Sequence, residues 1–244
     1  MPWDVIKLND GNVIPKIAFG TWTLGNGQQA TDNVDQAIDV GFTHIDTAQS
    51  YRNEAEAGVA IHESGLARED LFITTKYSGL NGLDVETSIQ NSLQNLGVKY
   101  VDLYLVHHPR LAVPDIPTLW AKMEKIKQDG FAKSIGVSNF EIEDLQVLLA
   151  SAKIKPAANQ VLLAWASAKG AIVVTSSTKK ERLEGYLDAG DIKLTPEDVS
   201  AIDSAGVAGA RCMVVRSTLK RLVVVALVGA AVLGTCGYFG IDVL

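Results

Sequence analysis

The chain has 244 residues, a length that suits one α/β barrel or two small domains. Apolar residues make up 47% of it, enough for a large core and too many for global disorder, and a net charge of -6 leaves no basic field suited to nucleic acid. The two cysteines, Cys212 and Cys236, form neither a disulfide framework nor a zinc spacing, which favours a reducing compartment, and the start MPWDVIKLND lacks the apolar core of a signal peptide.

In chain order, Lys7 to Pro15 sets Asp10-Gly11 between two short apolar runs, a hairpin signal placed to plug one end of the fold. Ile17 to Trp22 reads as a first core strand. Val34, Ala37 and Ile38 repeat at helical spacing, and Gly41 stops that helix. Phe42 to Ala48 is a strand, Asn53 to Ser64 a helix, and Leu71 to Lys76 a strand rich in β-branched residues. The pattern then repeats. Val85, Ile89, Leu93 and Leu96 share a helical stripe, and Val101 to His107 is a strand. Pro117 opens a helix with Leu119, Met123 and Ile126, and Lys133 to Val137 is a strand. Ile142, Leu145, Leu148 and Leu149 form the next stripe, and Ala157 to Val161 is a short strand.

Strands separated by single helices imply parallel pairing through right-handed crossovers. Strands that are apolar throughout imply burial on both faces. The number of units points to a (β/α) barrel, a fold whose chemistry sits at the C-terminal ends of its strands. There the sequence places Asp46 with Tyr51 just beyond, then Lys76, then His107-His108, then Ser138-Asn139, then Asn159-Gln160. A carboxylate in an apolar strand is costly unless paired, so Asp46 asks for a cation.

These motifs together resemble the aldo-keto reductases. They are GTW (Gly20 to Trp22), HIDTAQSYRNE (His44 to Glu54), TTKY (Thr74 to Tyr77), DLYLVHHP (Asp102 to Pro109), IGVSNF (Ile135 to Phe140), NQV (Asn159 to Val161) and VVTSSTKKERL (Val173 to Leu183). The resemblance spans about residues 5 to 205 and implies a TIM-type barrel that reduces small-molecule carbonyls with NADPH. It implies a catalytic tetrad of Asp46, Tyr51, Lys76 and His107. Chemistry supports that set independently. A phenol is a poor acid near neutrality, with an unperturbed pKa of about 10. An adjacent ammonium, Lys76, is expected to lower it, with Asp46 as counter-ion and His107 donating to the substrate oxygen. By the same resemblance Ser138, Asn139 and Gln160 hold the cofactor carboxamide, and Thr21 lies near the nicotinamide. Ser176, Ser177 and Arg182 occupy the positions that contact the adenosine 2'-phosphate, favouring NADPH over NADH. Trp22 and His108 line the substrate pocket, His108 replacing a tryptophan common there.

A competing motif is Gly25-Asn26-Gly27-Gln28-Gln29-Ala30, which fits G-x-G-x-x-A with Asp46 about 20 residues on, as in a dinucleotide fingerprint. Thr23 and Leu24 separate it from the strand, so a turn before the first helix is the simpler reading.

After Val161 the family pattern breaks. Leu162 to Gly170 reads as a helix that leads into a strand at Ile172 to Val174, and roughly one βα unit is absent. That segment is shorter than the dozen or so residues of a parallel crossover. The barrel is therefore expected to be incomplete, and a catalytically impaired binding or regulatory protein, or an aberrant splice product, stands as the alternative to an enzyme. Thr195-Pro196 opens a further helix that ends near Gly206, closing a barrel domain of residues 1–206. Residues 207–221 form a basic linker. Residues 222–241 carry no charge and suit one membrane span, which would tether the barrel to the cytoplasmic face of a membrane; a buried barrel helix or a frameshifted tail is the other reading.

Overall fold

The computed structural model describes residues 4–160 and 173–188, with backbone alone at 159, 160 and 173. The expected helix at Leu162 to Gly170, the helix from Thr195, the basic linker and the apolar run at 222–241 lie outside the described residues. Among the described residues no helix is long and apolar enough to cross a membrane.

The Asp10-Gly11 turn joins β1 (Val5–Lys7) to β2 (Val13–Pro15), antiparallel with Ile6 opposite Ile14. Gly11 takes φ +90°, which disfavours a side chain there. Leu8 and Ile14 bury themselves against Phe72, Leu103 and Leu105. Asp10 pairs with Lys127 at 2.7 Å, and Asn12 donates to the Lys133 carbonyl at 3.1 Å and to Ser134 Oγ at 2.9 Å. Phe72, Leu103, Lys133 and Ser134 lie near the starts of their strands, so the hairpin covers the N-terminal end of the sheet, as expected of a plug.

Among the described residues seven parallel strands make up the main sheet: β3 (Ile17–Gly20), β4 (His44–Asp46), β5 (Phe72–Tyr77), β6 (Val101–Val106), β7 (Ala132–Ser138), β8 (Asn159–Gln160) and β9 (Val173–Thr175). Their order is β8-β7-β6-β5-β4-β3-β9, so each pairs with its predecessor except β9, which returns beside β3. Helices α1 (Gln28–Asp39), α2 (Glu54–Glu63), α3 (Val85–Leu96), α4 (Ile116–Gln128) and α5 (Ile142–Ser151) fill the successive crossovers, and α6 (Lys180–Asp188) comes after β9. This is an α/β fold on a parallel sheet. All six residues of β5 and all six of β6 are buried, which is why, apart from Lys76 and Asp102, they read as apolar, aromatic or β-branched runs.

The helical stripes face the sheet. Val34, Ala37 and Ile38, then Val85, Ile89, Leu93 and Leu96, then Leu119, Met123 and Ile126 are all core residues. Caps agree with the chemistry: the Asp84 and Asp115 carboxylates accept the Thr87 and Thr118 amides at 2.7 and 2.8 Å. The stripe on α5 is a correction. Only Leu148 is fully buried, Leu145 is half-buried, and Ile142 is 70% exposed. Ile142 opens the helix, one turn before the part that meets the core.

The dinucleotide-fingerprint reading fails on geometry. Gly25 and Gly27 take φ near +75°, the Gly27 amide donates to the Glu56 carboxylate at 2.7 Å, and the sheet has no reversal of strand order at that loop.

Two helical glycines make a matched test of packing. A Cβ at Gly58 on α2 would collide with the Asn95 carbonyl and come within 2.8 Å of Leu96 Cα on α3, whereas a Cβ at Gly185 on α6 meets nothing within 4 Å among the described residues. Gly58→Ala is expected to destabilise by about 1–3 kcal/mol. Gly185→Ala is expected to stabilise by about 0.4–1 kcal/mol through the unfolded chain. Urea midpoints at unchanged slope read both, and a stable Gly58→Ala would contradict the close α2–α3 crossing.

Candidate active site

The site starts from strand register. Asp46 ends β4 opposite Thr74 of β5, and Lys76 stands two residues further along β5, on the same side as Thr74. That brings Lys76 Nζ to 2.6 Å from Asp46 Oδ1, with Thr47 O at 3.0 Å and the Tyr51 hydroxyl at 3.3 Å. Three ammonium protons meet three acceptors. Lys76 is 1% exposed and Asp46 3%, so this is a buried ion pair with a phenol attached.

Tyr51 closes a single 3-10 turn, Gln49–Tyr51, and Arg52 comes next with φ +58°. The Tyr51 ring meets the His107 ring edge-on at 5.7 Å. His107 is the residue after β6, tied by its amide to the Tyr77 carbonyl at 3.0 Å. Its Nδ1 lies 2.9 Å from Ser78 Oγ and 3.3 Å from Ser50 Oγ. All four members of the expected tetrad therefore converge.

The electrostatics correct one expectation. Burial pushes the Tyr51 phenol above its ordinary value, and this outweighs the Lys76 ammonium, which pulls it down. The Asp46 carboxylate adds to the rise. Lys76 limits the rise rather than producing a net fall. His107 is pushed down to about 4, first by burial and then by the Lys76 and His108 charges, with Asp46 opposing, so it is neutral at pH 7.

Around the tetrad lies a set of polar residues to which, Thr21 apart, the sequence motifs gave no role. Thr21 Oγ1 lies 2.9 Å from both Thr47 Oγ1 and Asn53 Oδ1, and Asn53 Nδ2 donates to the Thr21 and Gly25 carbonyls at 2.9 Å each. Thr75 Oγ1 donates to the buried Glu54 carboxylate at 2.6 Å. Thr47, Asn53 and Glu54 fall inside the HIDTAQSYRNE run, the one signal that could have found them. Ser78 comes just after TTKY and carried none.

The expected cofactor residues stand at the same strand ends. Thr21 is the residue after β3 and is fully buried. Ser138 ends β7 and is buried. Asn139, exposed at φ +59°, donates to the His107 carbonyl at 2.9 Å. Gln160 in β8 pairs with Ser138 in register, its side chain being outside the described atoms. Ser176 and Ser177 come after β9; Ser176 is exposed, and Ser177 Oγ is buried and accepts the Lys179 amide at 3.1 Å. Arg182 is exposed on α6. Hydroxyls and an amide clustered beside His107 suit a carboxamide-bearing nicotinamide, and an exposed arginine suits a phosphate. Trp22 is 68% exposed. His108 lines a cleft of about 440 Å³ with Arg110, Ile116, Asn139, Glu141 and Asp144. Among the described residues no acidic, histidine or cysteine group could hold a metal ion.

The profile of the aldo/keto reductase family matches residues 16–163, more than half of the chain. The chain belongs to the aldo/keto reductase family. Within it, the chain is 41% identical over 160 residues to the glyoxal reductase of Bacillus subtilis and 39% identical over 159 residues to the methylglyoxal reductase DkgA of Escherichia coli. These alignments take 65% of this chain and 57% and 58% of the relatives, so the chain spans under three-fifths of the bacterial reductases it matches. An aldehyde reductase of Saccharomyces cerevisiae is 38% identical over 208 residues, covering 69% of this chain and 66% of that protein. Since 69% of 244 is about 168, about 40 positions of the yeast reductase (208 less 168) have no counterpart here. Among solved structures, an aldo/keto reductase from Brucella melitensis superposes with a TM-score of 0.76 at 31% identity, over 82% of this chain and 98% of that one. A Bombyx mori aldo-keto reductase in complex with NADP gives 0.75 at 28%, over 83% and 92%.

This family site also sets a pH dependence of stability. His44, fully buried at the start of β4 with Nε2 2.9 Å from Thr74 Oγ1, is pushed down to about 4 by burial, as His107 is. An unfolded histidine binds its proton near 6.5. Between these values the unfolded chain holds more protons, so stability is highest above pH 6.5 and falls as pH drops toward 4. For His44 alone the loss at pH 5 is about 2 kcal/mol. Urea melts at pH 7 and pH 5, repeated with His44→Gln, should show the drop in the parent and a smaller one in the variant.

Proposed function

We propose that the chain is an NADPH-dependent reductase that converts aldehyde or ketone carbonyls to alcohols, with Tyr51 as proton donor. The observation that carries this reading is the Lys76 ammonium held between Asp46 at 2.6 Å and the Tyr51 hydroxyl at 3.3 Å. A nicotinamide bound at the strand ends supplies the hydride. Thr21, Ser138, Asn139 and Gln160 would flank its carboxamide, and Ser176, Ser177 and Arg182 the adenosine 2'-phosphate. Burial keeps the proton on Tyr51 at neutral pH. When that proton moves to the nascent alkoxide oxygen, the phenolate left behind sits beside Lys76, which stabilises it. Asp46 pairs with the ammonium and holds it pointed at the phenol. Neutral His107 donates a hydrogen bond that places the carbonyl oxygen within reach of Tyr51. Trp22 and His108 border the substrate, and imidazole in place of indole makes the pocket more polar. The activities for which the relatives are named, reduction of glyoxal, methylglyoxal and aldehydes, support small, polar carbonyls as the substrate class.

A second reading, an impaired reductase-like binding protein, draws on the barrel. The roughly 40 unmatched positions are close to one βα unit, about 30 residues or an eighth of a typical barrel. Only residues 161–172 connect β8 to β9, the two end strands of the sheet. Both observations support an incomplete TIM-type barrel, with cofactor grip weakened more than chemistry. NADPH oxidation with methylglyoxal, run beside a fluorescence titration of NADPH, separates the readings. The reductase reading expects turnover that Tyr51→Phe and Lys76→Met each lower by about a hundred- to ten-thousand-fold, with NADPH binding kept. Weak NADPH binding with little or no turnover in the parent chain would favour the second reading, and tight NADPH binding would count against it.

The domain plan runs along the same lines: barrel over 1–206, basic linker over 207–221, and an apolar segment over 222–241 that would hold the barrel at the cytosolic face of a membrane. The uncharged run behind Arg216, Lys220 and Arg221 supports that anchor. Carbonate extraction of expressing cells should leave the full chain in the membrane pellet, and release into the supernatant would count against it.

A further inference from the structure

His107 can place a carbonyl only from the tautomer that presents an N–H to it, and a neutral imidazole has one such nitrogen at a time. We propose that Ser78 is a positioning residue whose hydroxyl donates to His107 Nδ1 and thereby keeps the imidazole proton on Nε2. Ser50 stands behind it as a second donor. This rests on the reductase reading for its consequence, though not for its geometry.

The proton count on Ser78 is short. Its hydroxyl has two acceptors in range, His107 Nδ1 at 2.9 Å and the Lys76 carbonyl at 3.4 Å, and the nearer takes the proton. Its oxygen meanwhile accepts the Ser50 amide at 3.3 Å. Ser50 Oγ lies 3.3 Å from the same ring nitrogen. With Nδ1 bare, its one lone pair takes the Ser78 hydroxyl at 2.9 Å; with a proton on Nδ1, that hydroxyl would be left the Lys76 carbonyl at 3.4 Å and its oxygen would have to accept twice. The remaining surroundings of His107 do not choose a tautomer. The Lys76 ammonium, the Asp46 carboxylate and His108 act on the ring's charge, and Tyr51 meets it edge-on.

Ser78 is itself fixed to the loop that carries the acid. Its amide donates to Gln49 Oε1 at 3.3 Å, and Gln49 is a buried residue of the Tyr51 turn. One short segment, Gln49 to Tyr51, therefore carries the phenol and, through Ser50 and Ser78, orients the imidazole. Motion of that turn would disturb both groups together.

The test uses the full chain labelled with 15N-histidine, without cofactor, in long-range 15N–1H correlation spectra at pH 7. The His107 signals are assigned by their loss in His107→Gln. The expected result is a bare Nδ1 and a protonated Nε2 in the parent, a shift toward a mixed tautomer in Ser78→Ala, and the parent pattern again in Ser78→Thr. In turnover, Ser78→Ala should lower kcat several-fold with the KM for NADPH unchanged, and Ser78→Thr should restore it. A proton on Nδ1 in the parent overturns the proposal, as does an unaltered Nε2–H pattern in Ser78→Ala. If the parent shows no turnover at all, the reductase reading falls while the spectra still decide the tautomer.

Discussion

A lysine ammonium with 1% exposure is tolerated only because every one of its protons is met. Lys76 finds a carboxylate, a carbonyl and a phenol within 3.3 Å, from three successive points on β4 and the loop after it. Removing either charge of such a pair leaves the other buried and unpaired, at a cost of about 3–5 kcal/mol. The pair therefore fixes the register of β4 against β5. Asp46 faces Thr74, and Lys76 lies one full period of the strand beyond Thr74. A slip of one residue would turn Lys76 to the opposite side of the sheet and separate the phenol from its ammonium. Strand register and the contact between ammonium and phenol are thus one constraint.

A second layer keeps Tyr51 where that constraint needs it. The loop from Thr47 to Asn53 is only seven residues, and both ends are tied down. Thr47 and Asn53 share the Thr21 hydroxyl, and Asn53 also clamps the Gly25 carbonyl, so the loops after β3 and β4 move as one. Glu54, the first residue of α2, reaches Thr75 on β5 and Asn95 on α3. This buried carboxylate points to the strand that carries Lys76 and seats the start of α2 against it. The left-handed Arg52 is the bend that lets a 3-10 turn pass into α2 within so few residues.

What could be read from residues alone was what has a local cause. Asp46 in an apolar strand demanded a cation, and Lys76 was found at the matching strand end. Helical stripes and glycine stops each act within a turn or two, so α1 to α4 were visible. The rest depends on neighbours distant in the chain. The direction of the Tyr51 shift turns on how much water the fold excludes, which a list of nearby charges does not contain. Ser78 became visible only once β5 and β6 were laid side by side and His107 arrived beside it. Ile142 fitted an apolar period and still lies in the open, because period marks a face and says nothing of what meets it.

Strand order also separates the tetrad from the residues suited to a cofactor. Asp46, Tyr51, Lys76 and His107 come from β4, β5 and β6 and their loops, three adjacent strands at the centre of the sheet. Their contacts with one another involve neither β8 nor β9. The groups suited to the cofactor sit toward the margins instead: Ser138 and Gln160 at the ends of β7 and β8, Ser176, Ser177 and Arg182 after β9. The contacts that hold the ion pair, the phenol and the imidazole together are therefore closed within the central strands and owe nothing to the sheet's margins.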